Sequence, residues 1–480
     1  MPGTPKGPIL AWEKMRETLV MAQTDDKASE VEVHRQQPPR IVIVGGGFAG
    51  VAAARALRGC NAEIVLIDRR NHHIFQPLLY QVATAVLAPS TIAAPIRQLL
   101  EKQKNLCVTM AEVTGVDLNS RSLETVSPVA GAKKIAFDYL VLATGMRPSY
   151  FGHDEFAKHA PGLKTLADAE AMRAKILSAF EAAEATDDAG ERARQMTFVL
   201  VGAGPTGVEL ASSIALMGSI TLRSNFRRID PAKISILLIE HGSRILPSYA
   251  ESLSTKAARR LAKLGVTVMT GTRVDHVDER GVIVGDKRID SATVLWTAGV
   301  APSQILATLG VDTDHAGRVR VGPFLNVPDK PEIFVVGDAA AATQGGRPLP
   351  GVAQVAIQQG RYVGRFISAA LNARAQPRPF RYFDRGNLAV VGRNFAIMES
   401  GPIRLDGFVA FWIWALIHLM SLPQMQNRRR ARTQWLWSYF TGQRGARLIP
   451  EPPPAGRADD PAVSNTETPN SNGEGAATTL

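Results

Sequence analysis

The chain has 480 residues, of which 45% are hydrophobic and 21% are charged. This length predicts two or three domains, and the composition excludes a fibrous or largely disordered protein. The formal net charge of +11 is uneven, because residues 401–450 contain seven arginines and one acidic residue. Such an excess favours an anionic partner, either a lipid surface or a nucleic acid. The arginines are Arg404, Arg428, Arg429, Arg430, Arg432, Arg444 and Arg447.

The two ends of the chain have the composition of disordered tails. Residues 1–39 mix Pro, Lys, Glu and Asp without a long apolar run, so we expect no secretory signal there and at most a short helix over residues 10–22. Residues 449–480 are rich in Pro, Ser, Asn, Thr, Gly and acids, and we expect them to be disordered.

The first ordered feature is an apolar strand, Ile41–Val44, that runs into a glycine-rich turn. Gly45, Gly47 and Gly50 have the spacing of a dinucleotide-binding fingerprint, and the next apolar strand ends at Asp68. The glycines permit a tight turn, close approach of a pyrophosphate and helix–sheet packing, and the pyrophosphate lies at the positive end of the helix. The carboxylate can accept a hydrogen bond from a ribose hydroxyl.

The same pattern returns with Gly202, Gly204, Gly207 and Glu240. Either copy alone could be a glycine-rich turn without a ligand, but two complete copies predict two bound dinucleotides and therefore electron transfer. Each copy is followed about 100 residues later by an apolar strand that ends in a small-residue turn. These turns are Ala143–Gly145 and Thr297–Gly299.

This repeat predicts an α/β fold with two Rossmann-like dinucleotide-binding domains, the second inserted in the first. Residues 40–165 and 300–385 form the first domain, and residues 166–299 form the second. The return to the first domain is marked by a buried parallel strand that ends at Gly337-Asp338.

Residues 386–448 form a C-terminal unit with two apolar, aromatic stretches flanked by the arginines. The first stretch, residues 405–422, is about 18 residues long, which is short for a membrane span. We expect a pair of helices that lies in the membrane interface. A transmembrane anchor and a buried or homodimeric helix pair are the alternatives.

The two cysteines, Cys60 and Cys107, are too far apart in sequence for a CxxC redox pair or a metal site. We expect two small buried thiols and a reducing compartment. No Cys, His or carboxylate cluster has metal-ligand spacing, so no metal is expected.

Over residues 40–385 these motifs resemble the two-dinucleotide-binding-domain flavoproteins, the pyridine nucleotide-disulfide reductase superfamily. The resemblance implies FAD at the first fingerprint and NADH at the second. Glu240 disfavours the 2′-phosphate of NADPH, an effect that Arg244 could reduce. The implied FAD residues are Gly45, Gly47, Phe48, Ala49, Gly50, Asp68, Arg69, Val113, Ala143, Thr144, Gly145, Gly337, Asp338, Ala353 and Gln354. The implied NADH residues are Gly202, Gly204, Gly207, Glu209, Glu240, Ala298 and Gly299.

Three segments further resemble type II NADH:quinone oxidoreductases: residues 71–84, residues 351–360 and the C-terminal stretches. The first reads as a loop to Pro77 followed by an apolar turn. The second fits an AQxAxQ quinone motif at Ala353, Gln354, Ala356 and Gln358. On a helix the two glutamines share a face, and neutral amides can bond quinone carbonyls without the cost of burying charge. Glutamines satisfied by the protein are the alternative.

The resemblance also assigns Glu209, with Gln354 and Gln358, to the catalytic site. Glu209 would position NADH or relay protons, unless it is an ordinary acid favoured by a helix N-terminus. The implied activity is a non-proton-pumping, FAD-dependent transfer of two electrons from NADH to ubiquinone or menaquinone.

The implied location is the cytoplasmic face of the inner membrane, where the protein is peripheral and bound to anionic lipids. A homodimer is an open option and nucleic acid is not an expected partner. The alternatives are a soluble NAD(P)H-dependent ferredoxin- or rubredoxin-type reductase and a flavoprotein similar to apoptosis-inducing factor that acts through binding partners.

Overall fold

The computed structural model describes residues 38–449. The predicted tails lie outside this range except for their innermost residues, as does the helix expected over residues 10–22.

The regular elements alternate between strands and helices through most of this range. The strands are β1 (Arg40–Val44), β2 (Glu63–Asp68), β3 (His72–Ile74), β4 (Ala93–Pro95), β5 (Leu106–Met110), β6 (Glu112–Asp117), β7 (Ser122–Ser127), β8 (Gly131–Ala136), β9 (Tyr139–Leu142), β10 (Met146–Pro148), β11 (Thr197–Val201), β12 (Ser235–Ile239), β13 (Val266–Met269), β14 (His276–Asp278), β15 (Gly281–Val284), β16 (Lys287–Asp290), β17 (Thr293–Trp296), β18 (Val300–Pro302), β19 (Val319–Arg320), β20 (Asn326–Val327), β21 (Lys330–Val335), β22 (Ala340–Ala341), β23 (Thr343–Gln344), β24 (Arg347–Pro348), β25 (Asn387–Val390), β26 (Ala396–Ser400) and β27 (Ile403–Asp406). The α-helices are α1 (Phe48–Ala56), α2 (Leu79–Ala83), α3 (Pro89–Ile92), α4 (Ile96–Leu100), α5 (Leu166–Ala185), α6 (Ala189–Gln195), α7 (Pro205–Leu216), α8 (Glu251–Lys263), α9 (Ala353–Leu371), α10 (Gly407–Ser421) and α11 (Met425–Thr441).

Two parallel sheets organise the molecule. The first has the order β20-β21-β9-β1-β2-β5, so it combines strands that precede the second sheet in sequence with strands that follow it, and only β20 runs antiparallel to its neighbour. The second has the order β13-β12-β11-β17 and is built from the residues between them. This arrangement confirms the predicted α/β fold with one Rossmann-like domain inserted in another. The central strands read as continuous apolar runs because helices and loops cover both faces of each sheet.

Helix α9 lies directly against α1, and two glycines allow the close approach. A Cβ on Gly360 would lie 2.0 Å from the Ala49 carbonyl oxygen, and one on Gly364 would lie 2.7 Å from that of Ala53. The AQxAxQ motif begins α9, so this contact holds the motif next to the first glycine-rich turn.

The C-terminal region, residues 387–449, contains the antiparallel sheet β25-β26-β27 and the helices α10 and α11. Its buried side chains belong to the same hydrophobic cluster as those of α2, α5 and α7. The amide nitrogen of Asn427 in α11 lies 3.0 Å from the carbonyl oxygens of Ser90, Thr91 and Ala93, and its two N–H groups are shared among these three acceptors. These bonds fix α11 to the segment that follows α2. Among the described residues, no helix is both long enough and apolar enough to cross a bilayer.

Two local expectations were wrong. Cys60 is buried, but Cys107 is exposed because β5 is the edge strand of its sheet. The segment before Pro77 is not a plain loop, since His72–Ile74 pairs with Ala93–Pro95 as a short antiparallel ladder. Its partner lies some 20 residues later, which a local reading of the sequence does not reveal.

Candidate functional site

The first glycine turn, Gly45–Gly50, is too tightly packed for larger residues at two of its positions. Gly45 has φ +106°, and a Cβ on it would lie 2.3 Å from the Ala143 carbonyl oxygen. A Cβ on Gly50 would lie 1.8 Å from the Gly45 carbonyl oxygen. A Cβ on Gly47 would meet nothing within 4 Å, so the open space above the turn begins there. This is the arrangement that lets a pyrophosphate approach the backbone at a helix N-terminus.

The second glycine turn, Gly202–Gly207, repeats these contacts. Gly202 has φ +100°, and its Cβ would lie 2.6 Å from the Ala298 nitrogen. A Cβ on Gly207 would lie 2.0 Å from the Gly202 carbonyl oxygen, whereas one on Gly204 would meet nothing within 4 Å. The two turns are therefore alike in the positions that are closed and in the position that is open.

The strand-end carboxylates also correspond. Asp68 accepts from the backbone N–H groups of Gly46 at 2.7 Å and Arg70 at 2.8 Å. Glu240 accepts from those of Ala203 at 2.7 Å and Gly242 at 2.8 Å. Each carboxylate thus closes its turn while it keeps lone pairs for a ribose hydroxyl.

The residues around the first turn fit FAD. Asp338 lies beside Lys164, and burial raises the pKa of Asp338 and lowers that of Lys164. The hydroxyl of Thr144 is buried and has no partner among the described residues. The glycine turn has room for a phosphate at Gly47. The buried carboxyl of Asp338 and the unpaired hydroxyl of Thr144 are additional polar groups for a ligand that carries several hydroxyls.

Gln359 belongs to the site although it is not part of the AQxAxQ motif. Gln359 is 1% exposed, and its Oε1 accepts from the Gly337 backbone N–H at 2.6 Å. It therefore holds the Gly337-Asp338 turn against α9. The signal was present in the sequence, since Gln359 directly follows the motif, but its side chain lies on another face of the helix than Gln354 and Gln358.

The two motif glutamines bind backbone groups that lead into the C-terminal region. Gln358 donates to the Phe383 carbonyl oxygen at 2.9 Å and accepts from the Phe383 N–H at 3.0 Å. Gln354 donates to the Gly386 carbonyl oxygen at 3.1 Å, while its Oε1 is buried and has no partner among the described residues. Gln354 therefore retains an unused acceptor, whereas the nitrogen and the oxygen of the Gln358 amide each have a partner.

The other residues implied by resemblance are spread around the two turns. Phe48 begins α1, and its ring packs edge-on against those of His73 and Phe75. Arg69 is exposed and 4.0 Å from Glu112. The remaining positions are Ala49 buried in α1, Val113 half-buried in β6, Gly337 at the end of the strand before Asp338, Ala353 at the start of α9, and Ala298 and Gly299 after β17.

Glu209, on α7, is the most strongly perturbed carboxyl of the site. It is 8% exposed, and its carboxyl has one hydrogen bond among the described residues, a long one of 3.4 Å from the Val390 N–H. Burial raises the pKa of Glu209 to about 8, so the carboxyl is largely protonated at neutral pH. A neutral buried acid is a proton donor.

Glu209 lines a cavity of about 400 Å³ between α2, α7 and the C-terminal region, which we call the C-terminal cavity. Its walls are mostly apolar and include the rings of Phe411, Trp414 and Trp435. Trp412 and Leu416 line it as well and are 47% and 62% exposed, so the cavity reaches the outer surface of α10. This cavity is not apparent from the sequence because its wall comes from segments that are far apart in the chain.

One arginine of the C-terminal excess is not on the surface. Arg444 is 5% exposed, lines the cavity and donates to the carbonyl oxygens of Thr84 at 2.8 Å and Ser213 at 2.9 Å. Burial lowers the pKa of Arg444 to about 9. Composition alone does not reveal which of the seven arginines the fold encloses.

The outer face of the two C-terminal helices is apolar and exposed. It lies beside Arg429 and Arg430, which are also exposed. We call it the apolar surface, and its residues are Phe408, Val409, Trp412, Leu416, Ile417 and Met420 of α10 and Leu436, Trp437 and Phe440 of α11.

Comparison with known proteins places this geometry in a family. The sequence profile of the pyridine nucleotide-disulphide oxidoreductases matches residues 39–360. A type II NADH:quinone oxidoreductase of Mycobacterium tuberculosis is 42% identical over 428 residues, which cover 86% of this chain and 91% of the relative. The chain belongs to the type II NADH:quinone oxidoreductase family. A second member from the same organism is 40% identical over 85% of this chain and 89% of its own length.

The fold of this family member also matches solved structures. NDH2 of Plasmodium falciparum, solved in complex with NADH, superposes with a TM-score of 0.79 over 85% of this chain and 99% of that one, at 19% identity. A ferredoxin reductase of Rhodopseudomonas palustris gives a TM-score of 0.59 at 20% identity. At such identities the likeness shows the fold alone. The predicted resemblance to type II enzymes is confirmed by the closer sequence relatives.

Proposed function

We propose that the chain oxidises NADH and transfers two electrons, with bound FAD, to ubiquinone or menaquinone without pumping protons. The observation that carries this proposal is the C-terminal cavity, which extends from the buried carboxyl of Glu209 to the apolar surface. An apolar channel with a protonated acid at its inner end suits a lipid-soluble electron acceptor that takes up protons as it is reduced.

FAD would be held by the first glycine turn, with Asp68 on the ribose and Asp338 and Thr144 on the remaining hydroxyl and phosphate groups. When bound, this cofactor supplies a ring that accepts a hydride and gives up two electrons. The protein would orient this cofactor. The N-terminus of α1 would face the pyrophosphate, and the contact of α9 with α1 fixes the Gly337-Asp338 turn beside it.

NADH would bind the second glycine turn, with its ribose on Glu240 and its nicotinamide near Ala298 and Gly299. The carboxylate of Glu240 favours an unphosphorylated ribose. Arg244 donates to the carbonyl oxygens of Pro247 and Tyr249, which supports the NADH preference because its guanidinium is already engaged.

Quinone would enter the C-terminal cavity from the membrane. Glu209 would supply a proton there. Gln354 does not line this cavity, and its unpaired amide oxygen would instead accept a hydrogen bond from FAD. We assign Gln358 to positioning, since its amide holds residue 383 at the entrance to the C-terminal region.

The apolar surface and the neighbouring arginines would attach the protein peripherally to anionic lipids, on the cytoplasmic face of the inner membrane. The same face could instead pair two copies of the chain. Attachment to lipid accounts for the arginines beside it, because they complement anionic headgroups and would repel their own copies in a dimer.

The proposal is tested by purifying the flavin-loaded protein and following NADH oxidation with ubiquinone-1 and with menadione. We expect rapid bleaching of flavin absorbance by NADH and reoxidation by at least one quinone. NADH consumption that is the same with and without quinone would rule the proposal out.

Liposome flotation tests the membrane part. Removing residues from 405 onward would strip Trp414 and Ala431 from the core, so substitutions are preferable to truncation. The variant Leu416→Glu/Trp437→Glu should stay in solution while the unaltered chain floats with anionic vesicles. Val129→Glu changes an apolar residue outside the C-terminal region that is even more exposed than Leu416 and Trp437; it is the control and should float normally.

A further inference from the structure

Three side chains beside the C-terminal cavity form a hydrogen-bonded chain that crosses from α11 to α2. Trp435 Nε1 donates to Gln81 Oε1 at 2.7 Å, and Gln81 Nε2 donates to the Tyr80 hydroxyl oxygen at 3.0 Å. All three residues line the cavity. The two bonds join the C-terminal region to the first domain.

The direction of this chain is fixed by chemistry. An indole N–H can only donate, so Gln81 must present its oxygen to Trp435. The amide nitrogen of Gln81 then faces Tyr80, and since an amide nitrogen only donates, the Tyr80 oxygen must accept. The Tyr80 proton is thereby directed away from Gln81 and requires a different acceptor.

The structure supplies no such acceptor among residues 38–449. Tyr80 is 4% exposed, and its hydroxyl donates to no described group. Burial raises the pKa of Tyr80 well above its usual value, so the proton stays on the phenol at neutral pH. A buried hydroxyl normally finds an acceptor, and one that lacks it at a cavity wall is a place for a ligand atom.

The other polar groups of the cavity narrow the ligand chemistry. Trp414 has a buried Nε1–H that also lacks an acceptor within the described part of the chain. The hydroxyls of Ser212, Ser213 and Thr221 instead donate to other groups of the protein. Tyr80 and Trp414 therefore each present a hydrogen-bond donor without an acceptor, and both lie in a mostly apolar wall. Such a wall suits a neutral, flat ligand whose polar atoms only accept, which describes an oxidised quinone.

We propose that the Tyr80 hydroxyl donates a hydrogen bond to a carbonyl oxygen of the oxidised quinone in the C-terminal cavity, in a direction set by Trp435. This inference rests on the proposed function and adds the residue that recognises the acceptor. It also gives the C-terminal helix a part in substrate binding in addition to membrane attachment, since Trp435 belongs to α11.

The test is a double-mutant cycle on the flavin-loaded protein, with menadione binding measured by calorimetry. Tyr80→Phe removes the hydroxyl and keeps the ring, and it should raise the menadione Kd about three- to tenfold, the range for one lost hydrogen bond. Trp435→Phe should have a similar effect, because the freed Gln81 amide can rotate and accept the Tyr80 proton. The double variant should be no weaker than the weaker single variant.

Two controls separate recognition from damage. Tyr249→Phe changes a tyrosine that is also 4% exposed but does not line the cavity, and its menadione Kd should be unchanged. The compound 2-methylnaphthalene has the menadione ring system without carbonyls, and it should bind all variants equally. Stopped-flow reduction of the flavin by NADH should be the same in every variant.

An unchanged menadione Kd in Tyr80→Phe overturns the inference, and additive effects in the double variant overturn the role of Trp435. If Tyr80→Phe does not fold, Trp435→Phe alone decides, because it leaves α2 intact. Failure of the proposed function looks different: the unaltered protein would reduce no quinone, whereas its Tyr80-dependent binding of menadione would still be measurable.

Discussion

The first and second glycine turns match closely in local geometry and differ in what the rest of the fold packs against their helices. Helix α1 lies against α9, where Gly360 and Gly364 bring two backbones together. Helix α7 lies against the C-terminal region and borders its cavity. The seventh residue after the first glycine is Ala52 in α1 and Glu209 in α7.

The two helices therefore share the feature that binds a pyrophosphate and differ in whether they carry an acid. Both turns have the backbone that a pyrophosphate requires, so that part of the structure repeats. Only α7 carries an acid at a position where the tertiary fold buries it beside a cavity. Under the proposed function, the same local motif therefore supports a resident cofactor in one place and supplies a proton donor in another.

The largest expected effect comes from substituting the last glycine of each turn, because the two turns are proposed to bind different ligands. Gly50→Ala and Gly207→Ala each drive a methyl group into a carbonyl oxygen of the preceding turn. We expect Gly50→Ala to be purified without flavin absorbance. Gly207→Ala should keep its flavin and bind NADH roughly 10- to 100-fold more weakly, the cost of a close overpacked contact. Gly445→Ala, with nothing within 4 Å of its Cβ, is the control, and flavin retention by Gly50→Ala would contradict the assignment.

The second prediction concerns Glu209 and pH. Burial raises the pKa of Glu209 from 4.5 to about 8, so the folded chain binds this proton more tightly than the unfolded chain. The free energy of unfolding should therefore fall as pH rises from about 4.5 to about 8, by about 1.4 kcal/mol for each pKa unit at most. Denaturant titrations at pH 5 and pH 9 should show this loss in the unaltered chain.

Glu209→Gln should remove most of that loss, since an amide does not titrate. Quinone reduction by the unaltered protein should also decline above pH 8, where the donor has lost its proton, while NADH-dependent flavin reduction continues. An identical pH dependence of stability in both proteins would show that Glu209 is ionised in the folded chain.

The smallest expected effect concerns the local stability of the helices that pack near α1 and α7. Asn427→Ala removes the amide nitrogen that donates to the carbonyl oxygens of residues 90–93, and we expect the free energy of unfolding to fall by about 2 kcal/mol. Amide exchange should accelerate over residues 425–441 and remain slow in α1 and α9. The adjacent exposed Gln426→Ala is the matched control. Equal acceleration in α9 would mean that the two regions unfold together.

Several parts of the site could be predicted from sequence because their signals are local. Gly45, Gly50, Gly202 and Gly207 stand where the backbone leaves no room for a side chain, and a run of a few residues is enough to encode that requirement. Gln354 and Gln358 were correctly expected on one helix, but their backbone partners at residues 383 and 386 were not foreseen. Those bonds depend on where a distant loop crosses the helix.

The sequence by itself determined the two strand–turn–helix units, their carboxylates and the aromatic, arginine-rich character of the C-terminal stretches, because each follows from spacing over a few residues. Only the tertiary structure decided that Arg444 is enclosed, that Glu209 loses its solvent and that Tyr80 is left with an unshared proton. Burial and hydrogen-bond direction are properties of groups that meet across hundreds of residues. Local pattern carries no information about which groups those are.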